Sequence, residues 1–96
     1  MKITLKPQRR GDTLTVSKHG DTLTINGEAL DFSQLPDGAT LPKAAVGNPF
    51  IASDVERIDG EVHLSLLLPY GRGASNAAKF PEPIIDPADG ELELPK

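Results

Sequence analysis

The sequence predicts a small all-β fold, mainly antiparallel, and three observations carry that reading. Thr13-Leu14-Thr15-Val16-Ser17 and Thr22-Leu23-Thr24-Ile25-Asn26 alternate polar and apolar residues with a period of two, the pattern of strands with one wet and one buried face. Asn26-Gly27 and Asp59-Gly60 are strong two-residue hairpin signals. The 96 residues suffice for one compact domain and not two. The expected architecture is a small β-sandwich or open barrel built from a meander over residues 12–32 and a hairpin over residues 50–69. Each of these units offers one leucine-rich face, and the two faces need each other.

The meander can be tested against register. A two-residue loop at His19-Gly20 places Val16 opposite Leu23 and Leu14 opposite Ile25. A second at Asn26-Gly27 places Leu23 opposite Leu30 and Asp21 opposite Phe32. The apolar residues then share one side, and Thr13, Thr15, Ser17, Thr22, Thr24, Ala29 and Asp31 share the other; a one-residue slip would scramble the faces. Gly11-Asp12-Thr13-Leu14-Thr15-Val16 and Gly20-Asp21-Thr22-Leu23-Thr24-Ile25 look alike because neighbouring hairpin strands have the same needs, and the repeat does not continue.

Before the meander, Ile3 and Leu5 alternate with Lys2, Thr4 and Lys6 in a short first strand. Pro7 is expected to end it, with Gln8 to Gly11 as the link. After the meander, Leu35-Pro36-Asp37-Gly38 reads as a turn. Residues 42–46 can hold one short helix, with Pro42 suited to the first helical position and Gly47 to the stop. A two-residue loop at Asp59-Gly60 then sets Ile51, Ser53 and Val55 opposite Leu68, Leu66 and Leu64, and Arg57 opposite Val62. On the reverse face Glu56 meets His63, Asp54 meets Ser65 and Ala52 meets Leu67. Leu67 there suggests that the chain's own tail covers the base of this hairpin.

The single domain over residues 1–96 thus divides into a core over 1–69, a flexible loop over 70–80 and a Pro-rich acidic C-terminal segment over 81–96. Gly, Ala, Ser and Asn dominate the loop and periodicity is lost. In the last segment Ile84-Ile85-Asp86 and Glu91-Leu92-Glu93-Leu94 are expected as edge strands, where proline is tolerated.

Composition excludes several functions. Aromatics are only 4% of the chain and Trp is absent, so Leu, Ile and Val must build the core. The absence of Cys removes disulfides and thiolate metal sites and fits a reducing compartment. Met1 to Pro7 contains no apolar stretch of signal-peptide length, and no segment reaches a membrane span, so a soluble, non-secreted protein without a membrane partner is expected. The net charge of −4 argues against nucleic acid as a partner. The charge is uneven. Lys2, Lys6, Arg9, Arg10 and Lys18 crowd the first twenty residues, and Glu82, Asp86, Asp89, Glu91 and Glu93 the last sixteen. The two ends are expected to neutralise each other, within one molecule or between subunits.

No catalytic, cofactor-binding or metal-ligating residue emerges. His19 lies in a tight turn. His63 lies opposite Glu56, an ordinary cross-strand ion pair. Asp21, Asp37, Asp59 and Asp89 each belong to a Gly-containing turn, where side-chain bonds to nearby backbone explain them. Gly71-Arg72-Gly73 lacks the Lys-Ser/Thr and the helix of a phosphate loop. An enzyme would need His63, Glu56 and Arg57 to converge in a deep cleft. The face carrying Thr13, Thr15, Thr22 and Thr24 is either a solvated sheet face or a flat docking surface.

Met1-Lys2-Ile3-Thr4-Leu5, Pro7-Gln8-Arg9-Arg10 and Asp12-Thr13-Leu14-Thr15-Val16-Ser17-Lys18 resemble a family of short, largely uncharacterised proteins of tailed bacteriophages and prophages. The likeness continues through Leu23-Thr24-Ile25-Asn26-Gly27-Glu28, Phe32-Ser33, Leu35-Pro36-Asp37-Gly38-Ala39-Thr40-Leu41-Pro42, Val55-Glu56-Arg57-Ile58-Asp59-Gly60 and Leu66-Leu67-Leu68-Pro69. The resemblance implies a gene near tail and tail-fibre modules. It implies a non-enzymatic structural or assembly role, with other phage tail or assembly proteins, or further copies of itself, as partners. The expected location is the bacterial cytoplasm or the virion. The alternative is a phage accessory protein that binds and modulates a host protein, with the acidic segment from Glu82 to Glu93 as its docking element.

Overall fold

The structure, a computed structural model, describes residues 1–95. In chain order the elements are β1 (Lys2–Arg9), β2 (Val16–His19), β3 (Thr22–Ile25), β4 (Glu28–Asp31), β5 (Thr40–Leu41), α1 (Lys43–Val46), β6 (Val55–Ile58), β7 (Glu61–Tyr70), α2 (Asn76–Lys79), β8 (Ile84–Ile85) and β9 (Gly90–Glu91). They form a five-stranded sheet in the order β5-β6-β7-β1-β8 and a four-stranded sheet in the order β4-β3-β2-β9. This is the small, mostly antiparallel all-β fold that the periodicity predicts.

One cluster fills the interior. The four-stranded side contributes Val16, Leu23, Ile25 and Phe32. The five-stranded side contributes Ile3, Leu5, Val55, Val62, Leu64, Leu66 and Leu68, with Ile51 and Phe50 at its base. The alternation in β7 explains this: Val62, Leu64, Leu66 and Leu68 are buried along one face, while His63 and Leu67 are half-buried on the other.

The Asn26-Gly27 loop stands as expected, with Leu23 opposite Leu30. Both central residues have positive φ (47° and 86°), the signature of a type I′ turn. The first loop differs. Val16 pairs with Ile25 and Lys18 with Leu23, so the loop is Gly20-Asp21 and not His19-Gly20. Gly20 has φ 59° and Asp21 does not share a positive φ, as in a type II′ turn, which wants glycine at its first central position. The two-residue shift keeps the faces but moves Leu14 out of the strand and puts Lys18 beside Leu23.

The Asp59-Gly60 hairpin keeps its expected register near the tip, with Glu56 opposite His63 and Arg57 opposite Val62. Its base does not. Ile51 lies opposite Leu66, not Leu68, and Ala52 N donates to Ser65 O rather than pairing at Leu67. Ser53 and Asp54 are looped out of the ladder. The Asp54 carboxylate, no longer opposite Ser65, accepts from Lys43 N at 2.8 Å and ties α1 to the hairpin.

β1 is longer than Pro7 suggests and runs to Arg9, parallel to β7. Met1 O accepts from Asp86 N, so the odd-numbered backbone groups of β1 face β8. β8 ends opposite Ile3. The missing N–H of Pro7 therefore faces an open edge and costs the sheet no bond. The tail does not lie over the reverse face of the hairpin: it supplies β8 to one sheet and β9 to the other. Among the described residues there are two short helices, where the sequence predicts at most one. α1 falls within the expected residues and stops at Gly47 (φ 72°). α2 lies inside the expected loop, where the Ser75 side chain accepts from Ala78 N and Ala78 is buried.

Candidate interaction surface

Of the three residues that an enzyme reading needs, Glu56 and His63 are cross-strand partners and Arg57 stands apart from them. Arg57 lies on the inward side of β6, and Glu56 and His63 on the outward side. The nearest carboxylate to His63 is Glu61 of the same strand, at 3.7 Å, not Glu56. Two residues apart on one strand, Glu61 and His63 share a face, and the amine of Met1 holds the other oxygen of Glu61 at 3.5 Å. The Arg57 guanidinium faces inward, donating to Leu35 O, Gly60 O (3.0 Å), Phe32 O (3.0 Å) and Asp21 Oδ2 (2.9 Å). Its hidden cue in the sequence is position: it follows Val55 by two, so it shares the buried face, and an inward arginine must find acceptors.

The turn carboxylates reach further than local turn chemistry suggests. Asp21 takes Arg57. Asp37 accepts from Gly60 N at 2.9 Å. Asp89 accepts from Lys18 Nζ at 2.9 Å and Gly20 N at 3.1 Å. The Lys18 ammonium, then the Gly20 N–H, hold the Asp89 carboxyl below its ordinary value of 3.8. The N–H of Ser33, and then its side chain, act likewise on Asp31. Lys18 with Asp89, and the Met1 amine with Asp86, realise within one molecule part of the neutralisation expected between the chain's ends. Arg10 instead pairs locally with Asp12 at 2.6 Å and stacks on the Phe50 ring at 5.2 Å.

Gly71-Arg72-Gly73 lines an open groove of about 640 Å³ together with Arg10, Asp12, Tyr70 and Leu94. The threonine face is broken. Thr22 and Thr24 lie in β3, but Thr13 and Thr15 precede β2, and the Thr15 N–H and hydroxyl both donate to Asn26 Oδ1. Among the described residues no helix is long and apolar enough to cross a membrane.

Two surfaces stand out. The first is a groove of about 490 Å³ lined by Leu5, Ala77, Phe80, Ile84 and Pro95, with the polar Asn76 and Glu82, between the open edge of β1, α2 and β8. Phe80 stands at its rim, 79% exposed. The second is the outward face of the five-stranded sheet. One row crosses it strand by strand: Thr40, Glu56, His63, Lys2 and Ile85. The next rows pair Thr4 with Ser65 and Lys6 with Leu67. Ile85 is 63% exposed there. Among the described residues Lys2, Lys6 and Glu56 join no ion pair. Compared with family models, with curated proteins and with solved structures, the chain shows no significant match to any.

Proposed function

We propose that this chain is a phage- or prophage-derived structural or assembly protein, associated with the tail, that works by protein–protein contact and not by catalysis. The observation that carries the contact reading is Phe80. A phenylalanine left 79% exposed on a largely apolar groove, beside a strand edge with unpaired backbone, is a ready seat for an extended segment of a partner. Ala77 and Ile84 would receive its side chains, and the β1 edge beyond Ile3 its backbone. The tail association rests on the resemblance of the sequence to short tailed-phage proteins. The partner is then another tail or assembly protein, met in the bacterial cytoplasm or in the virion.

The test is affinity capture of the tagged chain, and of a Phe80→Asp variant, from a lysate of the organism that encodes it, read by mass spectrometry. Tail or fibre proteins captured by the parent and lost with Phe80→Asp support the proposal. A single host protein at stoichiometric level, with no virion component, replaces it with the host-modulator reading.

A further inference from the structure

We propose that the outward face of the five-stranded sheet is a twofold interface between two copies of this chain. The inference is independent of the groove at Phe80 and of any tail partner. It starts from charge. The row Glu56–His63–Lys2 sets an acidic residue on β6 and a basic one on β1, symmetrically about the central strand β7. Neither charge is matched within the molecule, and Lys6 adds to the basic side.

Geometry then selects one arrangement. Two sheets stack about 10 Å apart, within about 30° of alignment. A twofold axis along β7, between the two faces, preserves strand direction and exchanges left for right. The β1 side of one copy then covers the β6 side of the other, so Lys2 meets Glu56 twice, and His63 meets its counterpart on the axis. An axis across the strands would set Lys2 on Lys2 and Glu56 on Glu56. The Lys2–Glu56 pairing is therefore met in one orientation and opposed in the other, as an isologous contact requires; Glu61, which shares the face, also meets its counterpart on the axis, each with the Met1 amine at 3.5 Å.

The centre suits close approach. Ser65 and Thr4 are small, and a shallow depression lies at Thr4, Ser65, His63 and Glu56. Half-buried Leu67 and exposed Ile85 supply apolar area. From strand spacing and rise the face measures roughly 20 by 20 Å. That is about half the area per partner of a standard specific interface, so the dimer is a weak one.

Sedimentation velocity on the full chain, over a concentration series reaching about 1 mM, tests this. A monomer–dimer equilibrium at low salt, weakened by added salt, is expected. Lys2→Glu and Glu56→Lys should each weaken the dimer about tenfold or more, and the double variant Lys2→Glu/Glu56→Lys should restore it. Circular dichroism confirms that each variant is folded. A chain monomeric throughout at low salt, a dimer indifferent to both single variants, or a double variant no stronger than the singles overturns the proposal.

Discussion

Arg57 holds the Asp21 carboxylate at 2.9 Å, and the pair joins β6 of the five-stranded sheet to the β2–β3 turn of the four-stranded one. The same guanidinium reaches the carbonyls of Phe32 and Leu35, on the chain that leaves β4. Its side chain is only 12% exposed. Removing it strands inward-facing acceptors, so Arg57→Ala should cost about 3 kcal/mol in urea unfolding. Arg57→Lys should recover little, because an ammonium cannot fork to several acceptors. Asp21→Asn should cost about 1 kcal/mol at most, since the carbonyl contacts remain and Asp21 is partly solvated.

Asn26 serves its turn twice over. It accepts a φ of 47°, and its side chain accepts from Thr15 N at 2.7 Å and donates to Thr13 O at 3.1 Å. Asn26→Gly keeps the backbone and loses the side-chain bonds, and should cost about 1 kcal/mol. Asn26→Ala loses both and should cost about 2 kcal/mol. Thermal melts of the two variants should rank in that order.

Asp89 sets a pH dependence. Its carboxyl is held below 3.8 in the folded chain by Lys18 and Gly20. The depressed value means that its contribution is whole above the unfolded-state value and declines as pH falls below it through the folded-state value. Urea midpoints measured from neutral pH down through the carboxylate range should therefore fall less for Asp89→Asn than for the parent.

Leu66 and Leu67 are neighbours on opposite faces of β7. Leu66 is fully buried in the core and Leu67 only partly buried on the outward face. Leu66→Ala should cost about 3 kcal/mol. Leu67→Ala should cost about 1 kcal/mol in the monomer, and equilibrium unfolding at low concentration separates the two.

What could be read in advance was local. Asn26-Gly27 and Asp59-Gly60 announce their turns because only a few residues accept two successive positive φ values, and alternation then assigns the faces. The parallel pairing of β1 with β7 has no such marker, since no turn joins the strands. The row from Glu56 through His63 to Lys2 therefore could not be assembled in advance. Ser53 and Asp54 leave the ladder without a glycine or proline to signal it. The edge strands expected at Ile84-Ile85-Asp86 and Glu91-Leu92-Glu93-Leu94 are present as Ile84–Ile85 and Gly90–Glu91, each at a sheet edge, but two residues carry no sign of which sheet each one joins. Gly20 was ambiguous for a different reason: one glycine fits the second place of one hairpin turn and the first place of another.

The parallel pair also governs how the chain folds. Lys2 pairs with His63, about sixty residues along, and every later rung of β1 on β7 has the same span. The three local strands β2, β3 and β4 can form early, because two tight turns bring them together. The central rungs must wait until a long loop has closed, with its entropy lost before any contact forms. Such a topology folds slowly for its size, on the scale of milliseconds to seconds. Until β7 arrives, Ile3 and Leu5 are a bare apolar strand, and in that interval the chain is most open to pairing with the wrong edge.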